Sequence, residues 1–355
     1  MKKNRLVGLD LFRIYAAFAV FLFHSHTQFN CDYKILNSFV TMGATFMTAF
    51  FILSGFVLYY VYSQQTFLTG KDYAKFYLKR LSDIIPIYYI QGIIHFFIFP
   101  NKSILDEIKL LPVELFVIQN WFSSLFHYSH NGGSWFISCI LFCYFLYPLL
   151  AQFPRFINNK GLLVLEIILS GILLYSPFIE YFFKVNWIYE NIFLRVSEFM
   201  LGVILCEQFI RSGYTNKKWG GVLSNPLVIF FEIIIHILLI TIAYKKGISP
   251  GNYMLYSWIS LPLFIFLIYG LAGADYLKPN KIVLFLSEIT LAWYIAQDYC
   301  FTIGIKIVDY FNFDYNVFRI ILCITVCFVL SLALHFIVVI PGKKIFGIFS
   351  KKIIK

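Results

Sequence analysis

Charge is what this chain has least of. Only 13% of its 355 residues are Asp, Glu, Lys or Arg, against about a quarter in soluble globular proteins. So few charges cannot cover the surface of a water-soluble domain of this length. Acidic residues are the scarcer sign, 18 against 29 Lys and Arg. Internal repeats and low-complexity stretches are lacking. No small-residue cleavage site precedes Cys31, so the first apolar run does not read as a removable signal peptide. The shortage of charge excludes a soluble enzyme, a disordered chain and a DNA-binding domain. Apolar surface takes its place: 60% of residues are hydrophobic, 21% aromatic, and mean hydropathy is +0.77. A bilayer is the natural solvent for such a chain. The net charge of +11, which would suggest nucleic acid as partner of a soluble protein, reads here as basic cytoplasmic loops.

A helical span needs about 20 largely apolar residues. Ten stretches qualify: 8–27, 39–62, 82–100, 134–153, 161–178, 190–210, 224–243, 253–271, 282–303 and 317–340. Most boundaries carry turn punctuation, such as Pro100-Asn101, Pro279-Asn280 and Pro341-Gly342. With the N-terminus inside, 19 of the 29 basic residues fall on inner segments and eight on outer ones, with Arg13 and Arg195 inside spans. The bias predicts that both termini are cytoplasmic. The expected fold is therefore an all-α integral membrane bundle of about ten transmembrane helices. It reads as one domain over residues 1–355 with no fused soluble domain. The longest loop, 101–133, lies outside, and apolar spacing from Ile104 to Ile118 predicts a short interfacial helix in it.

Seven cysteines are an odd number and mostly intramembrane. Cys139/Cys143 and Cys323/Cys327 sit four apart on single helix faces and read as small packing residues. Cys31 alone lies outside, with no obvious outer partner. His127 and His130 have H-x-x-H spacing but no carboxylate or thiol near them, so no metal is expected.

Ionisable groups inside a bilayer are costly, and each is a candidate functional residue. Arg13 and His24 are eleven residues apart in the first span, about three helical turns or 16 Å along one face. Asp10, three residues before Arg13, is placed to pair with it. Two readings stand for this set. A cation near the cytoplasmic mouth with an imidazole deeper in suits an anionic donor carrying a reactive end. An interfacial Arg that snorkels, plus a core His bonded to a neighbour, would look the same. Arg195 and Glu198 can pair within the sixth span, and Gln91/His95 and Glu232/His236 are i, i+4 pairs that can line a polar cavity. Glu288 and Asp298 are ten apart in the ninth span.

Further segments bear on the choice. They are Phe50-Phe51-Ile-Leu-Ser54-Gly55-Phe56, Gly133-Ser-Trp135-Phe-Ile-Ser138, Arg195-Val-Ser-Glu198-Phe-Met-Leu-Gly202, and Leu286-Ser-Glu-Ile-Thr290-Leu-Ala-Trp-Tyr294. Together with Arg13, ten residues and His24, they resemble the acyltransferase-3 family, bacterial integral-membrane acyltransferases that O-acetylate cell-envelope glycans. The resemblance runs from Gly8 to about Gly342. The sequence departs from the family pattern at three places. Asp83 stands where a second arginine often follows Arg80, Ile140 where a glutamate is common, and Gln297 where a histidine often follows the tyrosine of the ninth span.

The resemblance implies transfer of an acyl group, usually acetyl, from cytoplasmic acyl-CoA to a sugar hydroxyl in the bacterial plasma membrane. The acyl-CoA serves as co-substrate, with no tightly bound cofactor. Acceptors in the family also include macrolides and peptidoglycan. Arg13, helped by Arg80 and Lys79, would hold the phosphates of CoA, since guanidinium forks suit phosphate. His24 would act either as general base or as transient acyl carrier. His26, about 200° round the helix from it, is the poorer base. Ser54, Trp135, Ser138, Arg195 and Glu198 are either substrate contacts or structural support. The competing class is a transporter or flippase of a glycan precursor, because intramembrane charges also mark substrate pathways. Against it stand the Arg13/His24 spacing and the lack of a half-to-half repeat.

Overall fold

The computed structural model describes residues 4–98, 104–122, 133–184, 188–213, 220–248, 255–312 and 315–354. Fifteen α-helices are found: α1 (Val7–Phe29), α2 (Asn37–Val40), α3 (Phe46–Tyr62), α4 (Gly70–Ile98), α5 (Ile104–Leu115), α6 (Ser134–Leu150), α7 (Phe153–Phe156), α8 (Asn159–Phe183), α9 (Ile192–Arg211), α10 (Gly220–Leu223), α11 (Pro226–Lys245), α12 (Leu261–Ala272), α13 (Lys281–Phe311), α14 (Asn316–Ala333) and α15 (Ile340–Ile354). π-Helical turns at Leu255–Ser260 and Leu334–Val339 lead into α12 and α15. No strand occurs among the described residues, and α5 occupies the segment read as a short helix of the outer loop.

Helix covers each of the ten apolar stretches within the described residues. Among the described residues six helical segments are long and apolar enough to cross a membrane: Val7–Phe29, Lys34–Tyr62, Ser134–Phe156, Asn159–Phe183, Pro226–Lys245 and Asn316–Lys352. Of the stretches that fall short, 253–271 lies in a shorter apolar helix, Ser257–Ala272, and the others lie in helices that carry charge. α4 carries Lys71, Lys75, Lys79, Arg80 and Asp83 in its first half, and α9 carries Arg195, Glu198, Glu207 and Arg211. α13 holds Glu288 and Asp298. Charge of this kind lowers the hydropathy of these helices, so a rule based on apolarity alone passes over them.

Helix ends follow local chemistry. Asn158, Asn191, Asn225 and Asn280 each sit at an N-cap and accept from a backbone N–H one turn on, satisfying donors that the helix leaves free. α1 ends at Asn30, in the left-handed region at φ 55°, which asparagine tolerates. The backbone N–H of Asn30 donates to the Ser25 carbonyl.

Helix α1 is central and packs against α3, α12 and α13. Its partnership with α13 is parallel. Asp10 and Arg13 meet Ser287, Phe21 meets Trp293 and Phe301 at 5.0 and 6.0 Å between ring centroids, and Phe29 meets Phe301 at 6.3 Å. Position 24 on α1 is thereby level with about position 299 on α13. α8, α11 and α14 lie outside this centre and expose apolar side chains such as Leu163, Ile167, Phe231, Ile321 and Val329. Surface of that kind suits lipid and not water.

The tightest crossing is α3 on α9. A Cβ on Gly55 would strike the Phe199 carbonyl oxygen, and one on Gly202 would strike the Ile52 carbonyl oxygen. The two glycines thus let two backbones touch, as small residues do in membranes. Gly55→Ala is expected to destabilise the protein by about 1–3 kcal/mol, because the helices must separate to admit the methyl. Thermal denaturation in detergent reads this; an unchanged midpoint would show the crossing to be dispensable.

Candidate active site

Helix α1 positions the two residues of interest, and it runs unbroken from Val7 to Phe29. Arg13 and His24 therefore keep their three-turn separation, about 16 Å at 1.5 Å per residue.

At the Arg13 end lies a cavity of about 550 Å³ between the start of α1 and the end of α3, lined by Arg5, Asp10, Arg13, Tyr60 and Gln64 among others. Asp10 does not pair with Arg13 as its spacing suggests. Arg5 takes it instead, with Nε donating to Oδ2 at 2.7 Å and Nη2 to Oδ1 at 3.1 Å. Asp10 Oδ1 also accepts from the Ser287 hydroxyl at 2.7 Å, and Arg13 Nη1 donates to the Ser287 hydroxyl oxygen at 3.4 Å. The reason is geometric. Arg5 precedes the helix and folds back along it, so its fork meets both carboxylate oxygens, while Ser287 on α13 lies between Asp10 and Arg13. With Asp10 satisfied elsewhere, Arg13's other donors have no partner among the described residues. They open on the cavity. Glu288 also faces Arg5, at 3.6 Å.

Arg80 stands nearby on α4. Its Nη2 contacts the Tyr62 hydroxyl at 3.4 Å and Asp83 Oδ2 at 3.5 Å, and its guanidinium lies 5.6 Å from the Tyr62 ring centre. Tyr144 of α6 is within electrostatic range of both Arg13 and Arg80, so three elements converge on this cationic end. Asp83 ties Arg80 to Lys79 at 3.9 Å and to Lys343 of α15 at 3.1 Å. A second hollow of about 260 Å³ opens there, lined by Lys75, Lys79, Ser82, Lys343 and Ser350. Lys343 was invisible as a site residue in the sequence because it lies on the last helix. A double cationic hollow of this kind can hold an anion with several phosphates.

At the other end of α1, His24 is half-buried. Its Nδ1 is 3.0 Å from the Gln28 amide nitrogen, one turn on, and its ring stacks edge-on against Phe23. With that nitrogen donating, the neutral ring carries its proton on Nε2. Turning the amide over lets Oε1 accept from Nδ1–H and frees the Nε2 lone pair for base or nucleophile chemistry. Nε2 has no partner among the described residues. His26 is engaged otherwise, its Nδ1 lying 2.7 Å from the Cys31 carbonyl oxygen.

The other residues singled out by motif fall into a separate assembly. Arg195 is fully buried, and its Nη1 donates to Glu198 Oε2 at 2.8 Å and Oε1 at 3.0 Å. Its Nε donates to the Tyr189 carbonyl at 2.8 Å, and Nη2 to the same oxygen. Thr48 donates to Glu198 at 2.9 Å. Rings of Phe51, Trp135 and Tyr189 lie 4.7–5.4 Å from the guanidinium carbon. Trp135, Arg195 and Glu198 thus form one enclosed knot joining α3, α6 and α9. Ser138 donates to the Val117 carbonyl at 2.7 Å and accepts from Asn120 N at 3.3 Å, stitching the segment after α5 onto α6. Ser54 is half-buried next to the Gly55 crossing.

Cys31 does have a neighbour: its Sγ is 3.9 Å from Cys323 Sγ, and all seven cysteines are free and buried. His127 and His130 lie outside the described residues. Among the described residues no group of three His, Cys, Asp or Glu side chains is arranged to hold a metal.

The chain is 27% identical over 251 residues to the acyltransferase MdmB of Streptomyces mycarofaciens, an alignment that covers 63% of this chain and 62% of that relative. No solved structure matches the chain. The family profile described as an acyltransferase domain matches residues 6–337. With nearly its whole length matched, the chain, a multi-pass membrane protein, belongs to the acyltransferase 3 family.

Proposed function

We propose that the protein moves an acyl group, in the simplest case acetyl, from cytoplasmic acyl-CoA to a hydroxyl of an exopolysaccharide, capsule or lipid-linked glycan. In this reading ten spans cross the bacterial plasma membrane with both termini inside. The carrying observation is that one unbroken helix bears Arg13 on the wall of a cationic cavity and His24 three turns away with Nε2 unpartnered. Arg13 binds donor phosphate, with Arg80 and Lys79 beside it. The pantetheine arm carries the thioester along α1. His24 then removes the acceptor's proton as oxygen attacks the thioester carbonyl, and returns that proton to the departing CoA thiolate. In the covalent variant, His24 Nε2 takes the acyl group first, releasing CoA, and the hydroxyl then attacks the acyl-imidazole.

The test is release of CoA thiol by purified protein in lipid nanodiscs given acetyl-CoA and a glycan acceptor. Acceptor-dependent release is expected from the wild type. A protein that moves labelled glycan across vesicles without releasing thiol would instead be a flippase. Arg13→Ala removes a charge-assisted contact to phosphate, of the order of 1.5–3 kcal/mol, so the dissociation constant for CoA should rise about tenfold to a hundredfold. Because Asp10 keeps Arg5 and Ser287, the fold should survive the change. Equal CoA binding by wild type and variant would remove Arg13 from the donor site.

A further inference from the structure

The geometry points to Asp298, held by His95, as the positioning residue whose charge stabilises the protonated form of His24 during acyl transfer. This rests on the reading of His24 given above. His95 of α4 and Asp298 of α13 are 203 positions apart in the chain, yet His95 Nε2 lies 2.6 Å from Asp298 Oδ2. The pair is asymmetric. The His95 side chain is 8% exposed, whereas that of Asp298 is 40% exposed. Tyr299 stacks against His95 at 5.3 Å and donates to the Gln91 carbonyl at 3.0 Å, so the back of the pair is packed. Oδ1 of Asp298 has no partner among the described residues. One oxygen is thus anchored and the other is left without a partner among the described residues.

The pair lies at the level of His24. α1 and α13 run parallel, and the contacts of Asp10 with Ser287 and of Phe29 with Phe301 put position 24 level with about position 299. Asp298 is the charged side chain whose field reaches His24. A carboxylate within a membrane-spanning helix is costly unless it has a task or a partner. His95 partners one oxygen only.

The step balances without further reagents. The acceptor's O–H bond breaks as its oxygen bonds the thioester carbon, and the proton passes to His24 Nε2. The imidazolium so formed is matched by the ionised Asp298 carboxylate. When the C–S bond breaks, the thiolate takes that proton from His24, and Asp298 is unchanged throughout. A fixed carboxylate whose field stabilises a histidine's cation is a general device, assembled here from a different helix.

Asp298→Asn is assayed with acetyl-CoA in nanodiscs, beside wild type and His24→Ala. kcat is expected to fall about a hundredfold, with the KM for acetyl-CoA unchanged because the donor cavity lies at the other end of α1. Asp298→Glu should restore part of kcat. His95→Gln, whose amide can still donate to Asp298, should keep most of the activity, and His95→Phe should lose it as Asp298→Asn does. The two His95 variants also answer if Asp298→Asn does not fold. Full kcat in Asp298→Asn or His95→Phe with His24→Ala inactive would overturn this inference alone. Activity in His24→Ala would overturn the reading beneath it as well, and a rise in KM with kcat unchanged would make Asp298 a binding contact and overturn its role in the chemistry.

Discussion

Replacing His24 by Ala is expected to lower acyl transfer by about 10²–10⁴-fold, the usual loss for a general base, while CoA binding stays intact. The side chain is half-buried at the C-terminal end of α1, and its loss empties no packed core position. Protein levels and thermal midpoint should therefore match wild type. The measurement is acceptor-dependent CoA release, with O-acyl groups on envelope glycans scored by NMR in the native host. The Arg13→Ala variant supplies the contrast, since it should fail in donor affinity. Two variants on one helix failing in different parameters would divide the reaction along that helix. Unchanged O-acylation at normal protein level in His24→Ala would remove it from the chemistry.

Arg195→Ala should be the most damaging single change to stability, at about 3–5 kcal/mol, the cost of stripping one partner from a buried ion pair. Glu198 is 2% exposed, and without Arg195 its charge would retain only the Thr48 hydroxyl among its hydrogen bonds given above. The Tyr189 carbonyl would lose the two donors from Arg195, and the rings of Phe51, Trp135 and Tyr189 would face a void. Thermal denaturation in detergent should show a large drop. The double change Arg195→Met/Glu198→Leu should recover much of it, because no orphan charge remains. Folded Arg195→Ala, rescued at low temperature, should keep its KM for acyl-CoA. A stable but inactive variant would place Arg195 in the chemistry instead.

These two variants mark the boundary of what was legible in the sequence. The Arg13 and His24 relation depends only on helix periodicity, so the chain itself announces it. The i, i+3 pairing of Arg195 with Glu198 is local in the same way. Asp10 looked like Arg13's partner by an equally good local rule, and the structure gives it to Arg5. A spacing rule ranks neighbours within one helix and cannot weigh a side chain that folds back from outside it. Asp83, a departure from the family pattern, likewise proves to join Arg80 to Lys343 across more than two hundred residues.

Charge inside helices, and the shortness of the apolar helix Ser257–Ala272, explain why six helical segments among the described residues stand out while others do not. α4, α9 and α13 carry the paired or cavity-lining groups, and their hydropathy is lowered for that reason.

Composition alone determined that the chain belongs in a bilayer and that it is helical, because a chain so poor in charge and so rich in apolar side chains has few other ways to satisfy its backbone in lipid. Periodicity determined that Arg13 and His24 share a helix face. Tertiary structure alone decided what surrounds them: the parallel register of α1 on α13, the enclosure of Arg195, and the meeting of His95 with Asp298. Those relations depend on which helix faces lie side by side, and no local pattern of residues records that.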